Sequence, residues 1–175
     1  MARYPLQLAQ DRFLFDGTPV TIRPIRPEDS GMEQEFVRHL SEDSRYFRFL
    51  GNVRELSSKK LKYFTEIDYD CHMAFVAVIQ RDGNDVEIGV ARYVGNEPRD
   101  TCEFAVTVDD AWQGTGVAGL LMASLMDAAR ERGFRTMEGL ILRSNHKMLK
   151  FARQLGFKVR PNPDDVDTVT VARPL

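Results

Sequence analysis

The order of segments along the chain predicts an α+β domain with helices covering both faces of a mixed central sheet. Three observations carry this. Residues 73–80, 86–94 and 101–108 are successive strand-like runs rich in branched and aromatic residues, and Arg81-Asp82-Gly83-Asn84-Asp85 is a hairpin turn between the first two. A long amphipathic helix then separates Val108 from another apolar run, residues 136–142, a connection that returns the new strand parallel to the one before it. At 175 residues the chain has the length of one domain and can bury a substantial core.

Each element follows in order. Residues 1–19 mix Phe13, Leu14 and Phe15 with charges and form an N-terminal arm lying over a single domain that spans 1–175. Residues 20–23 make a short strand ended by Pro24, and Pro27-Glu28-Asp29 opens a helix through Phe36, Val37 and Leu40. A second helical piece covers 41–49, and Ser57 caps a third that carries Leu61, Phe64 and Ile67. After the three strands, Val117, Leu120, Leu121, Ser124, Leu125 and Ala128 share one face of the long helix, which Gly133 ends. Strand 136–142 leads to a helix over 145–155 stopped by Gly156. Residues 157–160 and 166–172 are the closing strands, with Pro161 and Pro163 between them.

Composition narrows the function classes. A hydrophobic content of 43% and a charged content of 29% are those of a soluble globule, and a formal net charge of −2 gives no reason to expect nucleic-acid binding. Cys71 and Cys102 form neither a metal-ligand pattern nor a disulfide framework, so reduced core thiols are expected. No metal is implied. Residues 1–10 lack the apolar core of a signal peptide and no stretch approaches a membrane span, which places the chain in a reducing cytoplasm. No repeat or linker interrupts it.

The chemistry concentrates in Gln113-Gly114-Thr115-Gly116-Val117-Ala118-Gly119. From Gly114 this is G-x-G-x-x-G; from Gln113 it is Q-x-x-G-x-A. Both bring backbone N–H groups and a helix N-terminus against phosphate. A dinucleotide fingerprint needs its strand to run almost directly into the first glycine, with an acidic residue at the end of the next strand. Here five residues separate Val108 from Gly114, and Arg143 and Ser144 follow the next apolar run, so that pattern fails.

What remains is similar to the core of the GNAT superfamily of N-acetyltransferases. The resemblance covers residues 103–157: the strand ending Val106-Thr107-Val108, the loop from Gln113 to Gly119, and the stretch from Asn145 to Leu155-Gly156-Phe157. Asn145-x-x-Met148-Leu149 and the opening Trp112-Gln113-Gly114 further resemble the Pat-type protein lysine acetyltransferases. The resemblance implies a three-layer fold whose sheet is splayed between strands 101–108 and 136–142 to admit acetyl-CoA. The loop Gln113, Gly114, Thr115, Gly116, Val117, Ala118 and Gly119 would take the pyrophosphate. Val106, Thr107 and Val108 would pair with the pantetheine arm through their peptide groups, and an N–H near Val106 would face the thioester oxygen.

The same resemblance implies an N-acetyltransferase in which an amine attacks the thioester directly, with Glu103 as general base. Glu103 stands ten residues before Gln113, where lysine-modifying relatives carry a catalytic glutamate; from the residues alone a strand-edge carboxylate in water is the competing reading. Asn145 is both a favoured helix N-cap and the position at which the family contacts pantetheine. Many members carry a tyrosine acid seven residues after that asparagine; this chain has Ala152, with Tyr93 on the adjacent strand as a candidate substitute. Glu138, His72 near the substrate entrance, and Lys147, Lys150 and Arg153 toward the 3′-phosphate are weaker candidates, while His146 is a helix-start residue. The acceptor expected from the Pat likeness is a protein lysine, with an acyl-CoA synthetase as first partner. A small-molecule amine, a protein N-terminus and a non-catalytic acyl-CoA-binding role stand as alternatives, and homo-oligomerisation is open.

Overall fold

Among the residues that the computed structural model describes, 2–96 and 98–175, eight strands make one sheet. They are β1 (Gln10–Phe13), β2 (Pro19–Pro24), β3 (His72–Arg81), β4 (Asn84–Gly95), β5 (Thr101–Val108), β6 (Thr136–Leu142), β7 (Lys158–Pro161) and β8 (Thr168–Pro174). Their order is β1-β2-β3-β4-β5-β6-β8-β7, antiparallel except for the parallel pair β5–β6. The helices are α1 (Ser30–His39), α2 (Glu42–Phe49), α3 (Ser58–Thr65), α4 (Val117–Glu131) and α5 (His146–Gln154). This is the mixed α+β architecture that the segment order predicts.

Local chemistry accounts for the element ends. Ser41 and Ser57 cap α2 and α3, their Oγ atoms accepting from the N–H groups of Ser44 and Lys60 at 3.1 Å each. Gly133, at φ 88°, closes α4 in the left-handed conformation. Helix α4 buries Val117, Leu121, Leu125 and Ala128 of the expected face together with Met122, Met126 and Ala129, while Leu120 and Ser124 of that face are only half-buried.

Adjacent strand residues point to opposite faces, and β4 shows which helices lie where. A Cβ on Gly89 would stand 3.0 Å from the side chains of Leu121 and Val117, so Gly89 faces α4. Its neighbour Val90 lines a small internal space with Glu33, Phe36 and Val37 of α1, on the other side. Register then puts Glu103, Ala105 and Thr107, partners of Val94, Arg92 and Val90, on the α1 side as well.

Two sequence expectations change. Residues 10–13, expected as part of an arm lying over the domain, are an edge strand paired with β2. The last strand starts at Thr168, two residues later than expected: Asn162 accepts from Asp164 N–H at 3.1 Å and Asp165 from Asp167 N–H at 3.0 Å, so turns hold the chain through Asp167 and leave Val166 78% exposed.

A buried polar group lies between α1 and the sheet. A register shift between Ala77 and Val78 pairs Val78 with Glu87 and turns Glu87 onto the α1 face. There Glu33, Glu87 and Arg92 are all buried, and both carboxylate oxygens of Glu87 lack a hydrogen-bond partner among the described residues. Burial, then the charge of Glu33, raises the Glu87 carboxyl well above the usual range; burial also raises Glu33, against the pull of Arg92 and Arg48. A carboxyl whose folded pKa is raised loses stability as pH climbs from its unfolded value through its folded one. Glu87→Gln, neutral at every pH, is therefore expected to match the parent near pH 5 and to exceed it at pH 8, by on the order of 1 kcal/mol in urea unfolding. A larger loss at pH 8 than at pH 5 would contradict this.

Candidate active site

Strands β5 and β6 pair only through Thr101–Thr136, Cys102–Met137 and Glu103–Glu138. Beyond that point β6 keeps its ladder with β8 as far as Leu142, and β5 keeps its ladder with β4, so the two strands part. The ring of Phe104 lies against Gly139, where a Cβ would come within 2.7 Å of it, and packs on Phe157 with centroids 5.0 Å apart. The parting leaves the backbone of β5 from Phe104 to Val108 as an interior edge that can accept an extended partner.

The chain leaving β5 builds the second part. Asp109 accepts from the N–H of Ala111 at 2.9 Å and closes a single 3-10 turn, Asp110–Trp112. The Thr115 hydroxyl donates to Trp112 O at 2.5 Å, and Gly114 and Gly116 take φ of 80° and 94°. Gly116 is the N-cap of α4 and offers no capping side chain, so the first-turn N–H groups of α4 remain free for an anion. Gly119 has no steric partner: a Cβ there would meet no atom within 4 Å, although it lies in a helix and faces the cleft. A helical glycine without a packing reason fits a backbone kept bare for a ligand.

These parts meet in a cleft of about 1210 Å³. Val106, Thr107, Val108, Gln113, Gly114, Thr115, Gly116, Val117, Ala118, Gly119 and Asn145 all line it. Asn145 caps α5, its Oδ1 accepting from Met148 N–H at 3.3 Å, which leaves its amide donors for a ligand. Lys147 and His146 also line the cleft, whereas Lys150 and Arg153 are exposed and lie off it.

Glu103 stands apart from the lining residues. It is exposed on the α1 face of β5, at the last residue pair before the strands part, and Ala105, the next residue on that face, does line the cleft. Partial desolvation against the sheet, then the charge of Glu138 opposite it in register, raises its carboxyl above the usual value.

Three weaker candidates are corrected. Tyr93 is fully buried and donates to Asp70 O at 2.9 Å, while burial raises its phenol pKa, so it cannot replace the missing acid. His72 is buried rather than at an entrance: its ring packs at a tilt against Tyr63, its Nε2 lies 2.9 Å from an Arg92 nitrogen, and burial followed by the Arg92 charge lowers its pKa to about 4. Cys71 is half-buried beside Arg99, 2.9 Å from the guanidinium, rather than in the core. Ala152 is buried on the core side of α5.

Residues from outside the glycine loop also reach the cleft. Helix α2 contributes Ser44, Phe47 and Arg48, and Asp110 ties that helix to the loop by accepting from Ser41 N–H, Ser41 Oγ and Ser44 Oγ at 3.2, 2.9 and 3.0 Å. Arg48 packs over Phe49 at 4.9 Å, and burial, then the Arg92 charge, lowers its pKa to about 10. The arm contributes Phe13 and Phe15. The serine cap at Ser41 was a readable signal for α2; nothing in the local sequence shows that it faces the loop.

The family model for the acetyltransferase (GNAT) domain matches residues 20–158. The chain belongs to the GNAT family. The GNAT chain is 42% identical over 152 residues to acetyltransferase PA5475 of Pseudomonas aeruginosa, covering 87% of itself and 82% of that protein. Its structure is similar to the GNAT domain of S. lividans PAT, with a TM-score of 0.89 and 30% identity over 99% of this chain and 100% of that one. It also shares its fold with yncA of Salmonella typhimurium, solved with acetyl-CoA, at a TM-score of 0.70 and 22% identity over 89% and 94% of the two chains. It is an acetyl-CoA-dependent N-acetyltransferase. Among the described residues no cluster could hold a metal, and no helix is long and apolar enough to cross a membrane.

Proposed function

We propose that this acetyltransferase modifies lysine side chains of proteins, with Glu103 as its general base and the chain working as one domain over residues 1–175 in the cytoplasm. The observation that carries this reading is the placement of Glu103 on the α1 face of β5 where β5 and β6 part. The phosphate loop opens α4, which packs on the other face, so donor and acceptor approach from opposite sides of the sheet.

Acetyl-CoA supplies the activated thioester. At pH 7 only about one lysine in 2,500 carries the neutral amine, and a base must take the proton. Two residues along a strand are roughly 6.8 Å apart, so Glu103 sits one such step from cleft-lining Ala105 and receives the proton through water. Its raised pKa makes it a better base than a free glutamate. Gly114 to Gly119 hold the pyrophosphate, Val106 to Val108 align the pantetheine arm along the free edge, and Asn145 fixes it at the far wall. No acid is needed at Ala152, because a thiol ionises near pKa 8.5 and leaves readily as the anion.

The test is incubation with acetyl-CoA and a cell lysate, followed by mass spectrometry for newly acetylated lysines, with a purified acyl-CoA synthetase as the first defined acceptor. Site-specific lysine acetylation is expected. Faster turnover of free polyamines, amino acids or aminoglycosides than of any protein would overturn the acceptor assignment. Tight acetyl-CoA binding without any acceptor modified would overturn the catalytic one.

A further inference from the structure

We infer that the turn joining β1 and β2 forms the subsite for the adenine ring of acetyl-CoA, with Phe15 as its stacking platform. The inference rests on the acetyl-CoA-dependent reading of the cleft and adds to it a part of the chain outside residues 20–158, the span matched by the family.

Phe13 is 73% and Phe15 85% exposed, and both line the cleft. Two open phenyl rings at the rim of an anion-binding loop are a surface that a ligand covers. They are also held in place. Leu14 between them is buried, its N–H donating to Thr18 O at 2.9 Å and its carbonyl accepting from Gly17 N–H at 2.9 Å. Asp16 accepts from Thr18 N–H at 2.9 Å, and Gly17 takes φ of 87°, so the turn is tight. The turn is fastened to the phosphate loop itself: Phe15 N–H donates to Thr115 O at 3.0 Å, and the Phe15 ring lies so close over Gly116 that a Cβ there would stand 2.9 Å from it. A ring positioned before binding gives up little conformational freedom when it takes a ligand.

The donor's chemistry selects what covers it. The acyl and pantetheine ends run toward the parting of β5 and β6, and the pyrophosphate sits at Gly114 to Gly119. Beyond the pyrophosphate, one ribose away, comes the purine, the one part of the donor with a π-face. A phenyl ring fixed on Gly116 is at the right end of the cleft to receive it, and base-on-aromatic stacking tolerates such a platform without hydrogen-bonded readout.

The test measures two donors against Phe15→Ala and Phe15→Leu in the full chain. One donor is acetyl-CoA; the other is S-acetyl-4′-phosphopantetheine, which keeps the phosphate next to the pantetheine arm and lacks the adenosine. Trp112, the single tryptophan and itself in the cleft, reports binding by its fluorescence. Phe15→Ala is expected to weaken acetyl-CoA binding by about 5- to 150-fold, with kcat/KM for S-acetyl-4′-phosphopantetheine changed less than about twofold. Phe15→Leu, which keeps apolar bulk and loses the π-face, is expected to recover only part of the affinity. Etheno-CoA, with its fluorescent adenine, is expected to be quenched by the parent and not by Phe15→Ala. Equal losses with both donors would show that the ring only shapes the phosphate loop and would overturn the subsite, as would unchanged affinity. Dissociation of an oligomer with the donor ratio unchanged would overturn it in favour of a second copy of the chain as the covering surface. Failure of the acetyltransferase reading is distinguishable, because the parent would then turn over neither donor.

Discussion

Glu103→Gln is expected to lower kcat toward a lysine acceptor at pH 7 by about 10²–10⁴, with the Kd for acetyl-CoA unchanged within twofold. Glutamine keeps the volume of the side chain and cannot take the proton. Affinity should survive because Glu103 does not line the cleft. The pH profile supplies a second readout. A base works only when ionised, so the rate falls as pH drops below its pKa. Desolvation and then Glu138 raise that pKa, which places the acid limb above the usual glutamate range. Glu138→Gln removes the like charge and is expected to move the limb to lower pH without restoring the free value, since desolvation is the larger cause and remains. Unchanged turnover in Glu103→Gln would remove Glu103 from the mechanism. An acid limb indifferent to Glu138→Gln would mean that the titrating group is elsewhere.

The site was legible in the sequence wherever its parts are local. The glycine loop, the strand before it and the cap at Asn145 each lie within one short stretch, and turn chemistry and helix-end chemistry fix them there. The hairpin turn between β3 and β4 was legible for the same reason, with Asp82 and Gly83 both at positive φ. What escaped depends on pairing over distance. All four residues of β1 are exposed, so the alternation that marks a half-buried strand is missing. Tyr93 and His72 occupy strands whose local pattern says apolar and central but not which side chain reaches the cleft. Glu87 escaped for a sharper reason: counted back from Val90 by strict alternation it belongs on the α4 face, and only the irregular register beside it sends it to the α1 face. The aromatic residues of the arm look like ordinary loop hydrophobics until the fold carries Phe15 onto Gly116, about a hundred residues further along the chain.

Gly119→Ala is expected to change stability and affinity in opposite directions. In the unliganded protein the new methyl group enters open space, since no atom lies within 4 Å of its position. A helical glycine costs about 0.5–1 kcal/mol relative to alanine, so the variant should gain that much, seen as a Tm rise of about 1–4 °C for a domain of this size. The same methyl stands in the cleft on the first turn of α4, where the pyrophosphate must approach the bare N–H groups. One added carbon in a close-fitting site is worth roughly 1–3 kcal/mol, and the Kd for acetyl-CoA should rise by about 10- to 100-fold. Gly116→Ala is the contrasting case: φ of 94° and the Phe15 ring 2.9 Å from the new Cβ make it unfavourable with or without ligand, so stability and affinity fall together. If Gly119→Ala instead lost stability, the glycine would be a packing residue. If it kept full affinity, the N-terminus of α4 would not be the phosphate cradle, and the assignment of the loop would fail with it.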